Sequence, residues 1–292
     1  GTASAKILIE GVTKEDKISL PEVLRILEES KENLVINKKL IATSNELKLI
    51  SNQLKNANES LILKDKQKDE FLDTVTHELR TPITAIRAAS EILHDDDEIP
   101  EELRKQFLQN IISESDRLNR LIDKILDLEK LETGKQKIHV IESNIIQTIQ
   151  NAVNPLQQLL SNRNISFTFI GKAQEVYCLY DEERIIQVVT NLVSNAIKFC
   201  SENNGIITVE VENDLDQVSI LVYNNGKNVT PEDLETIFDK FYQSQNQNIK
   251  KPIGSGLGLA ISRQIVELHH GKIWASNHET EGVTFTFTLP KS

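Results

Sequence analysis

A spacing of apolar residues that alternates steps of three and four constrains this chain before any motif does. Leu47, Ile50, Leu54, Ala57, Leu61, Lys64, Lys68, Phe71 and Val75 keep that rhythm. It is the seam of a parallel coiled coil, so the region is expected to be a long helix that shares its stripe with a second copy. An earlier seam, Leu20, Leu24, Leu27, Leu34 and Ile41, runs in a different phase. The mismatch near residues 34 to 41 implies either a break between two helices or local strain in the supercoil, and either lets an upstream signal shift the helix downstream of it. An inert dimerisation stalk carries the same pattern. Lys64 and Lys68 put charge into the seam, which is expected to loosen there.

Just beyond lies FLDTVTHELRTP, residues 71 to 82. His77 offers a neutral ring nitrogen as a nucleophile near pH 7, and Glu78 beside it is a natural general base for the other nitrogen. Pro82 removes the amide that would bond the carbonyl of Glu78, so a bend is expected below the histidine. A lone helical His beside Glu is more often a solvated surface pair, and other stretches have to decide. This helix is expected to end near Leu93, where HDDDEIP breaks the pattern. A second helix runs from the acids after Pro100 to about Thr133, with an apolar stripe through Leu103, Phe107, Ile111, Leu118, Leu121, Ile122, Ile125 and Leu128. Gly134 is its natural stop. Two helices with such wide apolar faces are expected to pair with a second copy as a four-helix bundle, hence a homodimer.

After Gly134 the period changes. Short apolar runs at 165–170, 176–180, 206–211, 218–223, 272–276 and 283–289 alternate with helical stretches near 144–162, 181–200 and 257–270. The fold class is α+β multidomain, and VTFTFTLP and ITVEVEN read as half-buried antiparallel strands. Residues 243 to 251 are polar and unpatterned and read as a mobile loop.

Composition excludes some partners. With 33 Lys and Arg against 44 Asp and Glu, a net charge of -11, the chain repels a phosphate backbone, so no nucleic acid and no anionic membrane surface is expected. Cys178 and Cys200 lack metal-ligand spacing and read as reduced, buried thiols. No run reaches the length of a membrane span. The chain contains no methionine, at position 1 or elsewhere, and is expected to belong to a longer protein whose remainder holds the input.

Two further stretches carry chemistry. The helix after Asp181 places Asn191, Asn195 and Lys198 on one face, opposite Ile185, Val188, Val189, Leu192 and Ile197. Asparagine is a poor residue inside a helix, while an amide oxygen is a hard ligand suited to Mg²⁺ and a lysine suits the phosphates it bridges. A solvated polar face fits the same residues. GSGLGLAIS, residues 254 to 262, sets three glycines before an apolar-periodic helix, where backbone amides and the helix N-terminus favour an anion. Between them, Phe238 and Phe241 are expected to pack their segment onto the domain.

Taken in order, these stretches resemble the transmitter region of a bacterial sensor histidine kinase of two-component systems. FLDTVTHELRTP resembles the H box, NLVSNAIKF the N box, IFDKFY the F box and GSGLGLAIS the second glycine box. HHGKIWAS and GVTFTFTLP resemble the closing strands. The resemblance covers residues 66 to 290 and implies a signal-transmitting coiled coil at 1–65, a phosphotransfer hairpin at 66–134 and an α/β sandwich ATP-binding domain of the gyrase and histidine-kinase type at 135–292. It implies a protein-histidine kinase with ATP and Mg²⁺ as cofactors and a response regulator receiver domain as partner. The chain is then the cytoplasmic part of a membrane sensor, its upstream sensor domain lying elsewhere. By matching positions, His77 is the phosphoacceptor, Glu78 the base, and Thr81 the residue that positions water for regulator dephosphorylation. Asn195 is the Mg²⁺ ligand. Asn191, Lys198, Phe199, Asn224, Gly226, Gly254, Gly256, Leu257 and Gly258 are nucleotide-side residues.

The match departs at the first glycine box, where Asn224, Asn225, Gly226, Lys227 and Asn228 stand. The usual aspartate that accepts from the adenine amino group is Asn224, and the second glycine is Asn228. A weak-nucleotide-binding phosphatase or scaffold is the alternative this leaves open. An ATP-driven machine of the gyrase kind is a further one, which the His-bearing hairpin disfavours.

Overall fold

The computed structural model describes residues 20–96, 98–171, 173–242 and 256–291. The loop expected at 243 to 251, and Gly254, lie outside these residues. The chain divides into two compact units, residues 1–69 and 70–292.

In the first unit α1, Leu20–Asp95, is already under way and continues without interruption. The break considered near residues 34 to 41 is absent. LVINKKLI contains neither glycine nor proline, and backbone bonding from residue i to i−4 does not depend on the phase of the apolar stripe. Leu47, Ile50, Leu54 and Leu61 are each more than half exposed, an apolar seam with nothing packed on it in the single chain. Lys68 is exposed, and the Lys64 side chain lies outside the described residues.

The second unit opens with the rest of α1, which contains Pro82 and ends at Asp95, about where the acidic run was expected to stop it. α2, Glu101–Glu132, has Glu101 and Glu102 in its first turn, suited to the helix dipole. Gly134 at φ +64° ends it, and only glycine takes that conformation without cost.

Then come β1 (Ile141–Asn144), α3 (Ile145–Val153), a 3₁₀ turn (Asn154–Leu156), α4 (Gln157–Asn162), β2 (Ser166–Gly171) and β3 (Tyr177–Tyr180). α5 (Glu182–Phe199), β4 (Ile206–Asn213), β5 (Gln217–Asn224), α6 (Asp233–Thr236), α7 (Gly258–Leu268), β6 (Ile273–Asn277) and β7 (Val283–Pro290) complete it. The single helix expected over 144–162 is divided where Pro155 cannot donate to the ladder. β1 was not anticipated: four residues reading IESN carry no alternation.

Five strands form one sheet in the order β2-β4-β5-β7-β6, with β2 parallel to β4 and the other pairs antiparallel, while β1 and β3 pair separately. α3 packs on α5, and α5 on α7. Val218, Ile220 and Val222 of β5 and Phe285, Phe287 and Leu289 of β7 join the helices' Ile149, Val189, Leu192 and Ile265 in one core. VTFTFTLP is not half-buried as expected. Thr284, Thr286 and Thr288 are buried as well, because β7 is a central strand whose short threonines are shielded by larger cross-strand neighbours, Tyr223 beside Thr284 and Leu221 and Trp274 beside Thr286.

The hairpin belongs to the same unit. Leu121, Leu128 and Leu131 of α2 enter the core, and Arg184 of α5 donates to both oxygens of Asp127 at 2.9 and 3.1 Å. Cys178 is buried and free, its thiol pushed up to about 11 by burial. Cys200 is also free but only half-buried, a correction to the buried expectation: it lies just past the last turn of α5, at the edge of the core.

Candidate active site

His77 sits on α1 with its side chain exposed, Glu78 half-buried and Thr81 exposed. The Thr81 hydroxyl donates to the His77 carbonyl at 3.3 Å. Pro82 is buried, so its ring packs inward while the histidine one turn earlier faces outward, open to a reactant.

The second group is built by α5. Asp181 caps that helix, accepting from the amide of Arg184 at 3.2 Å and, on its other oxygen, from the amide of His139 at 2.8 Å. From below, His269 of the α7 C-terminus takes the Asp181 amide on Nε2 at 2.9 Å, while Nδ1 pairs with the Ile265 carbonyl at 2.8 Å. A carbonyl can only accept, so the proton is on Nδ1 and the ring is neutral. Burial pushes its pKa below the ordinary value. At the far end, Arg163 donates to the Ile197 carbonyl at 3.0 Å and satisfies the last turn. α5 is thereby fixed at both ends, and with it Asn191, Asn195 and Lys198.

Asn191 joins two helices. Its Nδ2 donates to the Gly258 carbonyl at 3.2 Å and to the Ser262 hydroxyl at 3.4 Å, tying α5 to the first turn of α7. A side chain on Gly258 would come within 3.3 Å of the Asn191 amide oxygen. Leu257 is wholly buried. Gly256, at φ +64°, lies so close to Phe241 that a Cβ there would stand 2.6 Å from its Cα, and the Phe241 amide donates to the Gly256 carbonyl at 3.0 Å.

Gly226 makes the other close approach. A Cβ at that position would lie 1.8 Å from the carbonyl oxygen of Phe199, so the turn after β5 rests directly on the backbone at the end of α5. The Phe199 side chain itself is 54% exposed. Asn224, last residue of β5, continues the inward-facing series Val218, Ile220, Val222 and is only 2% exposed. Its side-chain amide has no hydrogen-bond partner among the described residues, an arrangement that costs about 1 to 3 kcal/mol unless a ligand supplies one.

Basic charge gathers nearby. Lys198 is pushed down by desolvation, and Lys124 of α2 is pushed down by desolvation and then by the like charges of Lys198 and Arg120. None of the three has an ion-pair partner among the described residues. Sequence reasoning missed Arg120 and Lys124. Their one-turn spacing on α2 was visible, but nothing in the sequence joins them to Lys198.

A nucleoside triphosphate with Mg²⁺ fits these residues. The orphaned Asn224 amide suits a base, and the cations suit phosphates. Asn195 is half-buried with no hydrogen bond among the described residues, which leaves its amide oxygen available to a hard cation. No group of three or more His, Cys, Asp or Glu that could cage a metal occurs among the described residues, as expected where Mg²⁺ is held through few protein ligands and the phosphates. No hydrogen bond, ion pair or ring contact joins His77, Glu78 or Thr81 to this group among the described residues.

Comparison with known proteins agrees with both halves. Residues 67–134 match the His Kinase A (phospho-acceptor) domain, and residues 180–292 match the Histidine kinase-, DNA gyrase B-, and HSP90-like ATPase family. The chain belongs to the sensor histidine kinase family. It is 30% identical over 227 residues to the sensor histidine kinase WalK of Bacillus subtilis, covering 77% of this chain and 37% of that protein. A sensor protein kinase WalK of Staphylococcus aureus is 31% identical over 229 residues, covering 77% of this chain and 54% of that one. The chain thus spans roughly two fifths to half the length of these relatives. Among solved structures, histidine kinase ThkA in complex with response regulator protein TrrA is 32% identical, with a TM-score of 0.63 over 76% of this chain and 61% of that one. The Acinetobacter baumannii histidine kinase AdeS shares the fold, at 22% identity and a TM-score of 0.60, over 74% of this chain and 98% of that one. The transmitter expected from the boxes is the family found, and residues 180–292 are its ATPase-like portion. No helix among the described residues is long and apolar enough to cross a membrane.

Proposed function

We propose that this chain is the ATP-dependent protein-histidine kinase portion of a membrane sensor, with His77 as phosphoacceptor and an aspartate of a response regulator as the next recipient. The observation that carries the reading is the coexistence, in one compact unit, of an exposed His77 beside Glu78 with a buried Asn224 amide that has no partner among the described residues and a cluster of Lys198, Lys124 and Arg120. The ThkA relative, solved with its response regulator, supports the choice of partner.

ATP would supply the γ-phosphoryl group, and Mg²⁺, which Asn195 would hold, would offset its negative charge. Asn224 and the Gly226 turn hold the base, and Asn195 ligates the cation. Lys198, with Lys124 beside it, faces the phosphates, while Asn191, Gly256, Leu257 and Gly258 line the phosphate side of the site. Glu78 takes the proton from one ring nitrogen of His77 as the other bonds to the γ-phosphorus and the bond from that phosphorus to the bridging oxygen breaks, releasing ADP. Because no hydrogen bond, ion pair or ring contact joins His77 to the nucleotide-side residues among the described residues, the ATP-binding portion swings toward α1 for transfer. Thr81, bonded to the His77 carbonyl, turns its hydroxyl to a water during regulator dephosphorylation. The apolar seam of α1 and the exposed Ile83, Ile92, Leu103, Ile112 and Leu126 of the hairpin are covered by a second copy, giving a homodimer. The coiled coil, phosphotransfer hairpin and ATP-binding domain then divide the work at about residues 65 and 134. The phosphatase or scaffold alternative is not favoured, because His77, Glu78, Asn195 and Lys198 are all in place.

Incubation with γ-labelled ATP and Mg²⁺, scored as acid-labile and base-stable label, tests this. Label on the parent chain and none on His77→Gln is expected. Equal label on both overturns the assignment.

A further inference from the structure

The asparagines at the end of β5 differ in one respect that bears on which nucleotides the pocket takes. Asn225 accepts from the Ile206 amide at 2.8 Å and donates to the Asn204 carbonyl at 2.8 Å. Asn228 accepts from the Gly282 amide at 2.9 Å and donates to the His278 carbonyl at 3.1 Å. Asn277 accepts from the Val229 amide at 2.9 Å and donates to the Val229 carbonyl at 2.6 Å. Each has both ends of its amide occupied, so each is fixed in one orientation. Asn224 is buried to 2% exposure and has neither end occupied among the described residues.

A carboxylate at this position accepts only. It pairs with the 6-amino group of adenine and sets lone pair against lone pair when the base carries a 6-oxo group. A buried amide bears an acceptor and a donor on one pivot. With no neighbour fixing its orientation, rotation about the last side-chain bond presents Oδ1 to an amino group or Nδ2 to an oxo group. The N1 lone pair of adenine, or the N1–H of a 6-oxopurine, meets the other end of the amide, so either base satisfies both ends and removes the unpaired-group penalty that makes polar pockets selective. Gly226 lies close against this amide: Nδ2 stands 2.8 Å from where a Gly226 side chain would begin, so only hydrogen fits between them.

We infer that Asn224 reads position 6 of the purine without choosing between an amino and an oxo group, so that the pocket accepts 6-oxopurine nucleoside triphosphates alongside ATP. The inference rests on the reading of this pocket as the nucleotide site. Asn228, the other departure in this loop, takes no part. Its amide is spent clamping the loop to the turn between β6 and β7.

Calorimetric titration of the chain with ATP and with inosine triphosphate, each with Mg²⁺, isolates position 6, because the two differ chiefly there. Dissociation constants within about tenfold of each other are expected, together with a variant Asn224→Asp that keeps ATP and weakens inosine triphosphate by a further tenfold or more. Preference for ATP by more than about a hundredfold in the parent chain overturns the inference while leaving the nucleotide site standing. An unchanged ratio in Asn224→Asp overturns the assignment to this residue. Binding of neither nucleotide at millimolar concentration overturns the site itself. The parent-chain comparison decides the main point even where Asn224→Asp fails to fold, which circular dichroism shows directly.

Discussion

Replacing His269 by leucine should cost stability by an amount that the structure fixes and in a way that pH reports. The ring is 5% exposed and is held by two bonds, one from the Asp181 amide and one to the Ile265 carbonyl. Leucine fills similar space but leaves the Asp181 amide without its partner, a cost of about 1 to 3 kcal/mol. Loss of the second bond adds about 1 kcal/mol, since the Ile265 carbonyl keeps its contact with the His269 backbone amide at 3.2 Å. The total is about 2 to 4 kcal/mol. Urea unfolding of parent and variant at pH 8 measures it through the shift in midpoint at constant slope. The pH dependence separates this account from simple loss of packing. The folded-state pKa of His269 is depressed below its ordinary 6.5, so the unfolded chain binds the proton more tightly. Its contribution is complete above pH 6.5 and is lost as pH falls from there through the folded value. Parent and variant should therefore converge in stability on acidification. A loss below about 0.5 kcal/mol at pH 8, or a difference that stays constant down to pH 5, refutes the reasoning.

Gly226→Ala drives a methyl group into the Phe199 carbonyl 1.8 Å away, backbone against backbone. Nucleotide affinity measured by calorimetry should fall by more than about tenfold, and an effect below twofold contradicts the close approach. Asp127→Ala strips the partly buried Arg184 of both its carboxylate bonds and Gln187 of its 2.8 Å partner. It should destabilise the unit by about 1 to 3 kcal/mol in urea, with Asp127→Asn less affected. Iodoacetamide at pH 8 should label the half-buried Cys200 before Cys178, whose thiol is buried and raised to about 11. Peptide mapping that finds Cys178 modified first argues against its burial.

The boxes were legible because each is a local pattern. His77, Glu78 and Pro82 needed only a helix, and so did the Asn191, Asn195 and Lys198 face. The stops at Asp95 and Gly134 came from acidic and glycine residues acting within one turn. What escaped notice was non-local. Phe238 and Phe241 were expected to pack onto the domain, and both are buried. The partner of Phe241 is Phe71, its ring 5.4 Å away, and Lys240 reaches both that ring and Glu132. No spacing rule connects residues 71, 132 and 240.

The sequence alone determined most of the elements and where their chemistry lies: a hairpin carrying His77, and an α+β unit with asparagine and glycine stretches at fixed places. Helix period, strand period and capping are short-range effects, decided within a few residues of chain. The tertiary structure alone decided which of those residues had hydrogen-bond partners. Asn191, Asn224, Asn225 and Asn228 are the same residue type within 38 positions. Three are bound to protein, and one is buried with its amide unoccupied among the described residues. Satisfaction of a buried polar group depends on what the fold brings across from distant segments, and composition and period carry no record of that.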